Sequence, residues 1–167
     1  MILIWSLWIF LVAGHDLRRR RVPNWLVLFG AAFACITLLM NAQPFGIDWL
    51  SAIAGAAVGF GFLLIFYATG LMGAGDVKFA GALGLWVGLQ ALLPIWIGAS
   101  LLAGVHAVVW LALRRWPYFP AIAIALSGTP VASNDEAGPQ KRQRHIPFAA
   151  YLAIASIGWL VSGSPKL

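Results

Sequence analysis

The chain has 167 residues, of which 62% are hydrophobic and only 10% charged, with a mean hydropathy of +0.88. A soluble core of this length does not need so much apolar sequence, and the long apolar stretches recur from end to end, so the expected solvent is lipid. The net charge of +6 is not a nucleic-acid signal, because the bases gather where apolar stretches end: Arg18 to Arg21, Arg114 and Arg115, then Lys141, Arg142 and Arg144. Bases so placed set membrane orientation, with anionic lipid headgroups as a secondary partner.

In chain order, the sequence predicts an all-α, polytopic bundle of about six membrane helices forming a single domain over 1–167. The first runs from about Ile2 to Leu17. It is read as a retained helix with its N-terminus outside, since its bases follow the apolar part and Ala13-Gly14-His15 is a poor cleavage site. The second helix covers about Val22 to Met40 and includes Cys35, the single cysteine, read as a small apolar residue. A loop with Pro44 and Gly46 leads to the third helix, about Asp48 to Thr69, with Asp48 as its N-cap. Gly70 to Asp76 is a glycine-rich turn.

The fourth helix is short, from about Val77 to Leu89, and the fifth covers about Leu92 to Leu113. Gly55 and Gly59 have the small-xxx-small spacing that lets helices approach closely, and Gly81, Gly84 and Gly88 continue the small-residue theme. The region from Trp116 to Arg144 is the least apolar. Its apolar piece, Ala121 to Leu126, is too short to span, and Asp135 and Glu136 are solvated by default. The last helix runs from about Pro147 to Ser162. With the N-terminus outside, this layout puts ten of the eleven Lys and Arg on the cytoplasmic side and leaves Lys166 outside.

Acids are scarce. Setting aside Asp48 and the loop pair leaves Asp16 and Asp76, both at cytoplasmic helix ends on the same side. Each has an ordinary reading: Asp16 as a partner of the neighbouring arginines, Asp76 as a helix N-cap. The surroundings of Asp76, Gly73-Ala74-Gly75-Asp76-Val77-Lys78, point further. Glycines at minus three and minus one let the backbone turn sharply and approach another segment. Two neighbouring carboxyls do not both ionise readily, so a pair can hold one proton near neutral pH. That suits peptide hydrolysis: the ionised acid takes a proton from water while the neutral one polarises the scissile carbonyl. Neither a metal nor a covalent nucleophile is needed.

Other hydrolytic chemistries fit worse. There is no HExxH motif. Ser100 lacks the second glycine of a serine-nucleophile turn, and His106 lies off its helix face, which suggests a packed core histidine. His15 and His145 read as interfacial side chains.

Taken together, Asp16-Leu17-Arg18-Arg19-Arg20-Arg21-Val22-Pro23-Asn24, the GxGDxK pattern Gly73 to Lys78, and His145-Ile146-Pro147-Phe148 resemble, in order and spacing, the motifs of type IV prepilin peptidases. These are membrane aspartyl proteases of the GxGD type. The resemblance implies that Asp16 and Asp76 are the catalytic pair. It also implies that Gly73, Gly75, Lys78, Pro23 and Asn24 support the site, with Lys78 helping to hold one aspartate ionised. No metal or other cofactor is implied. The implied substrate is a prepilin or pseudopilin with a short basic leader, a glycine before the cut and an apolar helix after it, cleaved at the cytoplasmic face of a bacterial inner membrane.

Two departures stand out. Ala149-Ala150 follow Phe148 where that pattern has glycine and proline, which bears on the start of the last helix. The larger bifunctional members also carry a cysteine-rich insert and methylate the new N-terminus, whereas one cysteine and no insert imply peptidase activity alone. The compact layout looks most like members serving tight-adherence (Flp) pili. Competing readings are a preflagellin or other GxGD leader peptidase, and a non-enzymatic assembly factor or transporter using the acids as structural pairs or a proton relay.

Overall fold

The computed structural model describes residues 1–19, 21–115 and 148–162, and among these the only regular structure is helical. There are five helices: α1 (Ile2–Arg19), α2 (Asn24–Leu39), α3 (Trp49–Ala68), α4 (Ala74–Arg115) and α5 (Phe148–Val161). The expected surface pieces between Trp116 and Arg144, including Ala121 to Leu126, Asp135 and Glu136, lie outside the described residues, as does His145.

Local chemistry accounts for most boundaries. Pro23 stands at the N-cap of α2 with extended backbone angles, where its missing N–H and fixed φ cost nothing. Asp48 caps α3 as expected, its carboxylate accepting from Ser51 N–H at 3.0 Å. Gln43 closes the end of α2 by donating to the Ala34 carbonyl and the Thr37 hydroxyl at 3.1 and 2.9 Å.

The fourth and fifth expected helices run on as α4, which is broken at Gly88 rather than at the expected Gln90 region. Gly88 adopts φ 72°, ψ 177°, a conformation essentially reserved for glycine, and a Cβ there would lie 2.5 Å from Ser51 Oγ. A second difference lies at the start of α4. The helix begins at Ala74, so Asp76 belongs to its first turn instead of closing the glycine-rich turn.

α3 lies along α4, α5 packs against α1 and α4, and α2 packs on α4. The α3–α4 contact is close because it is made by backbone. A Cβ on Gly55 would sit 2.6 Å from the Gly84 carbonyl oxygen, and one on Gly59 would sit 2.6 Å from that of Ala80. By contrast, Gly61 faces open space. Tryptophans bind α1, α2 and α4 together. Trp8 Nε1 donates to the Leu26 carbonyl at 2.8 Å, and Trp86 Nε1 to the Gly30 carbonyl at 3.0 Å. The Trp8 ring packs over Gly30 and against Phe79 and Trp86.

The outward faces remain apolar. Leu28, Leu39, Leu50, Leu93, Leu101 and Val108 are all exposed, a surface that water would penalise and hydrocarbon would not. α3 and the Ala74–Ala112 part of α4 are long and apolar enough to cross a membrane, and α2 and α5 are shorter apolar helices.

Candidate active site

Asp16 and Asp76, sixty residues apart in sequence, are buried at 3% and 6% exposure, so each requires partners. Asp16 lies in the last part of α1, just before the basic Arg18 and Arg19. Asp76 is the third residue of α4. Its carboxylate reaches back to the Gly73 N–H, the side-chain half of a capping box in which Gly73 takes the N-cap place. The expected N-cap role of Asp76 is thus displaced by three residues but not lost: the carboxylate still serves the helix N-terminus.

The partner common to both acids is α5. Ala149 N–H donates to Asp76 Oδ1 and Ala150 N–H donates to Asp16 Oδ2, each at 2.8 Å and each buried. The first amides of a helix have no intrahelical acceptor, so α5 begins with free donors. Its positive N-terminal end also favours negative charge. Two consecutive amides therefore bring the two carboxyls side by side, within electrostatic reach of one another.

The start of α4 also approaches the turn that follows α1. A Cβ on Gly75 would lie 3.3 Å from Val22 N, so the glycine before Asp76 lets α4 approach the α1–α2 turn. A Cβ on Gly73 would lie 3.4 Å from Asp76 Oδ2, ordinary contact that leaves the carboxylate lightly covered on that side. Lys78 is exposed and donates through Nζ to Asn24 Oδ1 at 3.0 Å, a link between the first turns of α4 and α2. Of the expected supporting residues, Gly73 and Gly75 adjoin Asp76 in the chain, Asn24 and Lys78 bond each other, and Pro23 caps α2. The observed partner of the Lys78 ammonium is the asparagine.

Of the other side chains, His106 is half-buried with its ring 5.8 Å from that of Tyr151, a packing role as expected. Ser100 is exposed on α4. His15, next to Asp16, lies edge-on to Trp25. Among the described residues no group of three or more His, Cys, Asp or Glu could hold a metal ion. Ala149 and Ala150 were missed in the sequence because their contribution is backbone. The available signal was a helix starting after Ile146-Pro147, with no local capping side chain for its first amides.

Residues 2–108 match the type IV leader peptidase family. The chain belongs to that family. It is similar to the prepilin leader peptidase/N-methyltransferase of Xanthomonas campestris pv. campestris, 36% identical over 165 residues that cover 91% of this chain and 46% of that protein. The protein of the same name in Bacillus subtilis is 26% identical over 123 residues, 69% of this chain and 48% of its own length. A third, from Pectobacterium carotovorum subsp. carotovorum, is 32% identical over 107 residues, 60% of this chain and 37% of its own length. The chain thus spans less than half the length of these curated relatives. No solved structure matches it significantly. Both aspartates of this leader-peptidase family chain fall within the matched residues; the α5 amides do not.

Proposed function

We propose that this chain is a membrane aspartyl endopeptidase that removes the short basic leader of prepilins or pseudopilins, with Asp16 and Asp76 as its catalytic pair. The observation that carries the reading is the meeting of two buried carboxyls from distant helices on consecutive amides of a third, in a chain of the leader peptidase family.

One carboxylate accepts a proton from water as that water attacks the scissile carbonyl carbon. The other, protonated, donates to the carbonyl oxygen as it becomes an alcohol oxygen in the tetrahedral intermediate. Collapse of the intermediate breaks the C–N bond: the proton taken from water passes to the departing amine, while one hydroxyl of the intermediate returns its proton to the other aspartate as the carbonyl re-forms. The products are a free leader carboxylate and a new pilin N-terminus, and the pair returns to its singly protonated state. Gly73 and Gly75 keep the approach to Asp76 open, while the Lys78–Asn24 link ties the start of α4 to the start of α2, just after the turn that Pro23 closes.

The chain is read as one peptidase domain that crosses a bacterial inner membrane six times, with α4 contributing two crossings on either side of Gly88. Its N-terminus lies outside and the aspartates face the cytoplasm. The support is the sidedness of the bases and the shared end at which α1 finishes and α4 begins. Flp-type prepilins are the proposed substrates. Co-expression with a panel of leader-bearing pilins tests this. Shortening of a Flp-type prepilin by its leader is the expected result. Cleavage of preflagellin leaders alone, or of none, would reject the substrate assignment.

A further inference from the structure

The first turn of α5 is built around the two acids more closely than helix packing requires. Phe148, Ala149 and Ala150 open the helix. The side chains of Ala149 and Ala150 are fully buried and carry no polar group, so what they give the site is their backbone. The two hydrogen bonds go to different aspartates from adjacent donors. The separation of the carboxyls is therefore tied to the fixed spacing of two successive amides, and the charge they bear faces the positive end of a helix. A cation would offset that repulsion too, but here neutral amides do so without adding a titratable group. The Ala150 donor depends on residue type: a proline there, as in the pattern this segment resembles, has no N–H to give.

We propose that the start of α5 is a positioning element of the catalytic site, in which Ala150 N–H orients Asp16 and Ala149 N–H orients Asp76. This rests on the peptidase reading above for its catalytic consequence, but the contact itself can be tested without it. Ala150→Pro removes one donor at a first-turn position whose N–H no intrahelical bond uses. The expected result is a fall in kcat on the order of tenfold to a hundredfold with little change in KM, because the substrate still binds but one carboxyl is misaligned. Ala150→Ser, which keeps the N–H, retains most of the wild-type rate. Wild-type kcat in Ala150→Pro would overturn the proposal while leaving the two-aspartate protease standing.

A second measurement covers the case in which the proline variant misfolds or no pilin is cleaved. Amide exchange is followed residue by residue in the full chain in lipid nanodiscs. Asp16→Ala should speed exchange at Ala150 at least several-fold more than at Ala149, and Asp76→Ala should do the reverse. Equal effects at both amides, or none, would overturn the proposal whatever the activity.

Discussion

At the scale of single residues, the site is two carboxyls, two amides and the glycines that let them meet. Asp16→Asn and Asp76→Asn should each lower leader cleavage by about a thousandfold or more, since in the proposed mechanism each carboxyl serves as acid or base in the same step. Their Oδ1 atoms can still accept from α5, so helix content and thermal unfolding should stay close to wild type. A parallel loss of fold and activity would mark the aspartates as structural partners instead. Gly75→Val tests the approach of α4 to the α1–α2 turn. With Val22 N only 3.3 Å from the first added carbon, the start of α4 and the α1–α2 turn must shift apart, and cleavage should fall while the α3–α4 contact is untouched. The side-chain half of this site was legible in the sequence, because carboxyls among glycines are rare in an apolar chain. The amides of Ala149 and Ala150 were not, since a backbone donor leaves no residue-type signature beyond the lack of a local cap.

Among the elements, α3 and α4 carry the tightest contact and α4 the sharpest irregularity. Gly84→Ala would drive a Cβ into the Gly55 backbone and should destabilise by about 1–3 kcal/mol, as overpacking does. Gly61→Ala, in open space, should be neutral or slightly stabilising, and thermal unfolding in a single detergent compares the two directly. Gly88→Ala should cost a similar amount, about 1–3 kcal/mol of backbone strain, for a different reason: its φ is positive and its neighbour is Ser51. The small-residue spacing of Gly55 and Gly59 was visible in the sequence and packs as that spacing implies. The break in α4 fell at Gly88 because backbone conformation, not hydropathy, decides where an apolar run stops being one helix. Gln90 looked like a boundary only because it is polar, and an exposed polar residue near a helix end needs no break. The start of α4 at Ala74 precedes the expected start at Val77 for a related reason: Ala74 and Gly75 read as loop by composition, yet the capping contact of Asp76 with Gly73 draws them into the helix.

For the whole molecule, hydropathy and charge place the chain in lipid, and the arrangement of helices sets both acids at one end of the bundle. The reading of six crossings predicts that single cysteines introduced at Gln43 and Gln90, in a Cys35→Ala background, react with a membrane-impermeant maleimide from outside the cell. A cysteine at Leu71 should react only after the inner face is exposed. The reverse pattern would invert the topology and put the aspartates on the wrong side for a cytoplasmic leader. The all-helical class was legible from the density of apolar stretches alone, whereas sidedness was read from the bases and is a separate matter that labelling decides. The central claim is that this chain is itself the protease and that both acids are required. The most direct measurement places purified wild type, Asp16→Asn and Asp76→Asn in lipid nanodiscs with a purified Flp-type prepilin and follows the pilin mass. Loss of the leader with wild type, and with neither variant, is the predicted result. Leader removal by either variant at the wild-type rate would contradict the two-aspartate mechanism.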